Sequence, residues 1–185
     1  DVALVDMLVK VKPDAKIFYL DTDVLFQESY ETIERIKEKY SPNLIKYSPL
    51  LTLEEQADQH GAELWASDPN GCCNIRKVEP LVRALSTLDG WITGIRRDQA
   101  PTRANAGVVE VDTKFNLIKF NPLALWTDKD VWRYIMDNNV PYNPLHDQGY
   151  PSIGCTHCTR AVKPGEDPRA GRWANSDKTE CGLHK

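Results

Sequence analysis

The sequence predicts an α/β fold, a mostly parallel sheet with helices on both faces. Three observations carry this. Short runs rich in branched and aromatic residues alternate along the chain with longer runs of helical periodicity. Two of the strand-like runs end on polar turns, LDTD and TGIRRDQ, and ligands of such sheets bind beyond the carboxyl ends of the strands. After Val140 the periodicity stops and Pro, Gly and polar residues take over, so this segment is irregular and must be organised by something other than an apolar face.

Taken in order, DVALVDMLVKVKPDAK places Val2, Val5, Leu8 and Val9 at helical spacing, and reads as a fold entered midway, with a segment expected upstream. AKIFYLDT is a buried strand, Lys16 to Leu20. QESYETIERIKEKY is an amphipathic helix with Tyr30, Ile33, Ile36 and Tyr40 on one face. NLIKYSP is a second strand. TLEEQADQHG opens on a capping box, Thr52 with Glu55, and closes on Gly61. GCCNIRKVEPLVRALSTLDG is helical from Gly71, with an interruption expected at Pro80. GWITGIRR is a strand entering an arginine-rich loop. GVVEVDTKFNLIKF is a hairpin, Val108 to Val111 and Leu117 to Phe120. TDKDVWRYIMDNN is a helix with Thr127 as N-cap and Asp130 at N3. No repeat is present. The division expected is one domain over 1–173 and a mobile tail over 174–185.

The 23 basic and 27 acidic residues leave a net charge of −4, which argues against broad electrostatic binding to nucleic acid or an anionic membrane. No apolar run approaches the ~20 residues a membrane span needs.

Five cysteines are present: Cys72, Cys73, Cys155, Cys158 and Cys181. An odd count with two tight pairs fits a metal site plus one free thiol in a reducing compartment better than a disulfide framework. Adjacent Cα atoms lie about 3.8 Å apart, so a Cys72–Cys73 disulfide needs a distorted backbone. Four thiolates suit tetrahedral zinc or an iron–sulfur cluster, and spacing alone does not choose between them. Arg76 and Lys77 follow the two cysteines by four residues each, which on a regular helix gives each thiol a cation on its own face; the plainer reading is a solvated face. Gly71 before the pair places the thiolates at a helix N-terminus. Arg96, Arg97 and Arg103 surround one loop, and Arg160, Arg169 and Arg172 another. Arginine forks match sulfate and phosphate oxygens. His157 lies between the paired cysteines as a candidate donor behind them. Cys181, near the end of the chain, has no neighbour in sequence expected to bury it and is a candidate nucleophile.

The segments LDTDVLFQESY, GCCNIRKVEPL, WITGIRRDQ, NPLALWTDKDVWRYI, VPYNPLHDQGYPSIGCTHCT, DPRAGRW and ECGLH together resemble the bacterial adenylyl-sulfate (APS) reductases, the iron–sulfur branch of the APS/PAPS reductase family, over residues 20 to 184. The resemblance implies an adenine-nucleotide-hydrolase, Rossmann-like sheet. It implies attack by a cysteine thiolate on the sulfate sulfur of APS, with PAPS as the alternative substrate. AMP then leaves, and thioredoxin or a glutaredoxin-like dithiol releases sulfite. It assigns Cys181 as the nucleophile, with His184 favouring its thiolate form. Cys72, Cys73, Cys155 and Cys158 become ligands of a [4Fe-4S] cluster, and Lys77 the link between cluster and substrate charge. Gly94 lies by the adenosine, and Arg96, Arg103, Arg169 and Arg172 are implied to bind substrate. It further implies a cytoplasmic enzyme of sulfate assimilation and cysteine biosynthesis, in which a homo-oligomer is allowed. The family begins with a strand and a Ser-Gly-Gly phosphate loop, expected before Asp1. Two rivals are a cluster-dependent tRNA-thiolating enzyme of the same superfamily, which the acidic charge disfavours, and a zinc-stabilised binding module. Brown against colourless protein separates cluster from zinc.

Overall fold

Side-chain capping sets several of the helix starts. In α3 (Leu53–His60) the Thr52 hydroxyl accepts from Glu55 N while Glu55 returns to Thr52 N, and Gly61 follows at φ 88°. In α7 (Asp128–Asp137) Thr127 and Asp130 form the same reciprocal pair. Both caps stand where the sequence places them. The remaining helices are α1 (Val2–Val11), α2 (Gln27–Tyr40), α4 (Leu64–Ser67), α5 (Pro69–Cys73) and α6 (Glu79–Leu85). The strands are β1 (Lys16–Leu20), β2 (Asn43–Tyr47), β3 (Gly90–Ile92), β4 (Val109–Asp112) and β5 (Leu117–Phe120). This α/β structure is a computed structural model; it describes residues 1–174 and 176–184. None of its helices is long and apolar enough to cross a membrane.

The chain divides into two compact units. One comprises Asp1–Ile17, Glu31–Leu44 and Thr87–Asn143; the other comprises Phe18–Tyr30, Ile45–Ser86 and the chain from Pro144 onward. The first is built on an apolar seam. Ala3 of α1 meets Val131 and Ile135 of α7 and Val140 beyond it, with Trp126, Trp132 and Tyr142 packed around them. A buried carboxylate is costly unless satisfied. Asp6, beside this seam, accepts from Tyr40 Oη at 2.9 Å and Tyr134 Oη at 2.6 Å, and pairs with Lys10 Nζ at 2.6 Å. Burial works to raise the Asp6 pKa, but the bonds from Lys10, Tyr134 and Tyr40 outweigh it and hold the carboxyl below its ordinary value.

The sheet of this unit runs β3-β5-β4, with β3 parallel to β5 and β4 antiparallel to it. Its alternation is inverted. Ile92, Val109, Val111, Ile118 and Phe120 are exposed, while Trp91, Asp112 and Lys119 are buried. Lys119 pairs with Glu110 at 3.1 Å and sits over the Trp91 ring, which compensates its charge. Two boundaries differ from expectation. The strand GWITGIRR stops at Ile92, and the first hairpin strand is Val109–Asp112, one residue later than read.

In the second unit Phe18 of β1 meets Tyr47 of β2 edge-on at 5.9 Å, and Asp21 N donates to Tyr47 O. The strand NLIKYSP ends at Tyr47, ahead of Pro49, which has no N–H to donate. The cysteine-bearing helix starts two residues before Gly71. Asp68 caps it through Asn70 N and Gly71 N, with Pro69 in its first turn, so Cys72 and Cys73 end α5 instead of opening a helix. The helical path does not stop at Pro80. It widens to a π-helix over Asn74–Val78 and continues as α6 through Pro80 to Leu85. Proline lacks the N–H for residue 76 and crowds its carbonyl, and a π segment absorbs such a mismatch without breaking the helix.

From Pro144 onward order comes from long-range pairing. Cys155 bridges to Leu25 and Thr159 to Arg172, while Thr156 N donates to Val24 O and Trp173 N to Cys158 O.

Candidate functional site

In the second unit α5, the π segment and the Pro144 segment bring Cys72, Cys73, Cys155 and Cys158 to the wall of one cavity, together with Arg76, Lys77, Trp65, His157 and Trp173. Each pair is positioned differently. Cys72 and Cys73 ride on helical backbone, Cys72 N donating to Asp68 O. Cys155 and Cys158 sit on a 3-10 turn, Cys158 N donating to Cys155 O, and Cys155 Sγ lies 3.3 Å from Thr22 Oγ1 at the end of β1. Gly154 precedes this turn because a Cβ there would fall 2.5 Å from Arg172 Nη2.

Burial pushes the Cys72 thiol up to about 11, the neighbouring Cys73, Cys155 and Cys158 add to the rise, and Arg76 opposes it. Burial also raises Cys158, again with its cysteine neighbours. A bound metal cation would oppose the rise at Cys72 and Cys158, since metal ligands bind as thiolates. Among the described residues no three His, Cys, Asp or Glu groups converge to hold a single metal ion. Four thiols lining one cavity are a donor set that either a zinc ion or an iron–sulfur cluster could use.

The two cations after the cysteines have separate surroundings. Arg76 is 1% exposed, so it is no solvated face. Its Nε donates to Thr22 O, its Nη1 to Gln56 Oε1 at 3.0 Å, and its Nη2 pairs with Asp23 at 2.5 Å. Burial works to lower the Lys77 pKa, but the charges of Cys155, Cys181 and Cys73 outweigh it and hold the ammonium above its ordinary value. Lys77 therefore stands in the field of both cysteine pairs and of the tail cysteine.

The tail packs on this unit. Glu180 is buried and pairs with Arg169 Nη2 at 3.2 Å, which also donates to Thr179 O. Lys178 Nζ donates to Pro69 O. Cys181 is half-buried, closer packed than its sequence surroundings suggest. Arg172 lies over the Trp173 ring at 4.4 Å and donates to Ser152 Oγ at 3.1 Å. Among the described residues its Nε and the Trp173 Nε1 are buried without a hydrogen-bond partner. Burial lowers the Arg172 pKa against the pull of Cys181, Cys155 and Cys158. His184 lies within the described tail, and His157 stacks on Trp65 at 4.0 Å and 10°.

Gly94, Arg96 and Arg103 lie in the first unit, on the loop from β3 to β4. A Cβ at Gly94 would fall 2.0 Å from Asp1 Oδ1, so a larger residue there would displace that side chain. Arg96 pairs with Asp98 and Asp128, each at 3.0 Å, and Arg103 donates to Gln99 Oε1 at 2.7 Å. The structure thus gathers the five cysteines, Lys77, Arg169 and Arg172 in one unit and the Gly94–Arg103 group in the other.

Residue-level reading missed Thr22, Trp65 and Trp173. Thr22 lies in the LDTD turn, already marked as a strand end, and Trp173 closes DPRAGRW. Trp65 had no signal in its surroundings.

A family model for the phosphoadenosine phosphosulfate reductase domain matches residues 1–161. The chain is 58% identical over 185 residues to the adenosine 5'-phosphosulfate reductase of Lysinibacillus sphaericus, covering all of this chain and 79% of that one. It is 55% identical to adenosine 5'-phosphosulfate reductase 1 of Bacillus subtilis over the same shares. Among solved structures it resembles the phosphoadenylyl-sulfate reductase of Candida auris in a phosphate complex, with TM-score 0.76, 36% identity, and coverage of 86% of this chain and 77% of that one.

Proposed function

The chain belongs to the phosphoadenosine phosphosulfate reductase family, and on that footing we propose that it reduces adenylyl sulfate to sulfite and AMP in sulfate assimilation. The observation that carries the chemistry is the half-buried Cys181 in the field of Lys77 and Arg172. The reacting form of a cysteine nucleophile is its thiolate. Its Sγ attacks the sulfur of the sulfate group, the bond from that sulfur to the phosphate oxygen breaks, and AMP leaves with the electron pair. Cys181 then carries an S-sulfo group. A dithiol protein of the thioredoxin or glutaredoxin kind attacks Cys181 Sγ and expels sulfite; its second thiol resolves the mixed disulfide and regenerates Cys181. The dithiol supplies both electrons.

Arg103, Arg169 and Arg172 are proposed to hold the phosphosulfate, Arg96 to assist, and Gly94 to admit the adenosine. Arg169 and its partner Glu180 would tie the tail to the site, and His184 would favour the thiolate. The two cysteine pairs fit a [4Fe-4S] cluster by donor type, by shared cavity and by their mutual effect on ionisation. When bound by the four cysteines, such a cluster would supply a fixed charge to the cavity that Lys77 also lines. Thr22 and the unpartnered Trp173 Nε1 are the polar groups at hand for its sulfurs. A cytoplasmic enzyme, with a homo-oligomer allowed, completes the proposal.

The test is turnover by anaerobically purified protein. APS with thioredoxin should give sulfite and AMP in equal amounts. Brown protein should hold about four irons and four sulfides per chain. AMP without sulfite, or stoichiometric zinc without iron, would contradict the reaction and the cluster respectively.

A further inference from the structure

We propose that Asn121 is a positioning residue for substrate: it ties the two ends of the loop that carries Gly94, Arg96 and Arg103. This rests on the reading that the loop binds APS. The loop joins Ile92 at the end of β3 to Val109 at the start of β4, and its only regular pieces are two short 3-10 turns, Arg97–Gln99 and Pro101–Arg103. A connection of that length needs ties to hold one shape.

Asn121 directly follows β5 and is fully buried. Its Oδ1 accepts from Thr93 Oγ1 at the loop's entry, next to Gly94. Its Nδ2 donates to Gly107 O at 2.8 Å, at the loop's exit, and to Glu110 Oε1 at 3.2 Å. The amide's two donor hydrogens and its oxygen are thus all engaged. The backbone repeats the tie. Thr93 N donates to Phe120 O at 2.8 Å and Asn121 N to Val108 O at 2.7 Å. The middle is held to the same corner, since Arg97 N donates to Ala124 O, Ala124 N to Asn121 O, and Arg97 Nε to Ala106 O. One amide side chain therefore fixes where the loop begins relative to where it ends, and so where Arg96 and Arg103 stand between.

The experiment measures APS turnover and amide hydrogen exchange of residues 93–107 in the full chain. Asn121→Ala should raise KM for APS about 10- to 100-fold, the scale of an ångström of misplacement, with kcat within about threefold. Exchange across 93–107 should quicken about tenfold while α7 keeps its protection. Should Asn121→Ala fail to fold, Thr93→Val removes only the hydroxyl partner and should raise KM by a few-fold. Ile135→Val, in the α1–α7 seam, gives a destabilised control and should leave KM unchanged. Arg103→Ala separates the two readings. If it leaves KM unchanged, the loop does not bind substrate and the inference falls with that reading. If it raises KM while the Asn121 and Thr93 variants do not, or while exchange in 93–107 is unchanged in them, the positioning role alone is wrong.

Discussion

The two units solve the same problem by different means. The first has a helix–helix seam of Ala3, Val131, Ile135 and Val140 and a three-stranded sheet, and hydrophobic burial sets its order. The second has, among the described residues from Pro144 onward, two 3-10 turns and two isolated bridges, with four thiols lining its cavity. Where apolar periodicity is absent, order comes from pairing with distant parts of the chain, and coordination by the four thiols is the further tie proposed above. The difference teaches that an apolar seam orders a unit from its own helices, whereas an irregular segment depends on partners far along the chain.

The sharpest way to break this comparison is a pair of substitutions. Cys155→Ser should lose all bound iron and, with it, the hydrogen-exchange protection of residues 144–173, while the α1–α7 seam stays folded. Ile135→Ala should do the reverse, costing about 2–5 kcal/mol by cavity formation. Iron content should stay at the wild-type level in the folded fraction. Iron analysis with residue-resolved exchange reads both. Equal loss of protection in both units from either change would mean that the units are not separately stabilised.

Lys77→Ala sharpens the functional side. Lys77 stands in the field of Cys73, Cys155 and Cys181, so its loss should keep iron and fold but lower the rate on the order of 10²-fold, as for one preorganised donor. A wild-type rate would make Lys77 a bystander.

The smallest effect concerns Asp6 in the scaffold. Its folded pKa is held below 3.8, so it contributes stability that is present above the ordinary carboxylate value and lost as pH falls below about 4. Asp6→Asn should therefore lower Tm at pH 7, and the gap to wild type should narrow in acid. A gap that widens below pH 4 would contradict the sign.

What was legible in the sequence was local or periodic. Thr52 with Glu55 and Thr127 with Asp130 act across three residues, and the apolar spacing of α1 and α2 marked both as helices, though α1 buries Ala3 and Asp6 in place of the Val2, Val5, Leu8 and Val9 set. The cysteine pairs were legible because their spacing is short and their residue type rare. What was not legible depends on partners far along the chain. Arg76 looked solvated because the groups that bury it, Thr22 O and Gln56, lie 54 and 20 residues away. The π segment ahead of Pro80 is a backbone compromise with no side-chain signature. The tail's packing rests on Arg169 and Glu180, eleven residues apart across irregular chain. The inverted face of the β3-β5-β4 sheet kept strand periodicity but hid which side is buried, since Lys119 and Asp112 point inward.

The central claim is that the tail cysteine carries the reaction. APS given without reductant should add one sulfite-sized mass to the peptide containing Cys181, and thioredoxin should then remove it and release sulfite. Cys181→Ser should stay brown, bind APS and form no adduct, because a serine hydroxyl is scarcely ionised at neutral pH. Mass mapping to Cys155 or Cys158, or sulfite released at the wild-type rate by Cys181→Ser, would contradict the account even with the family membership intact.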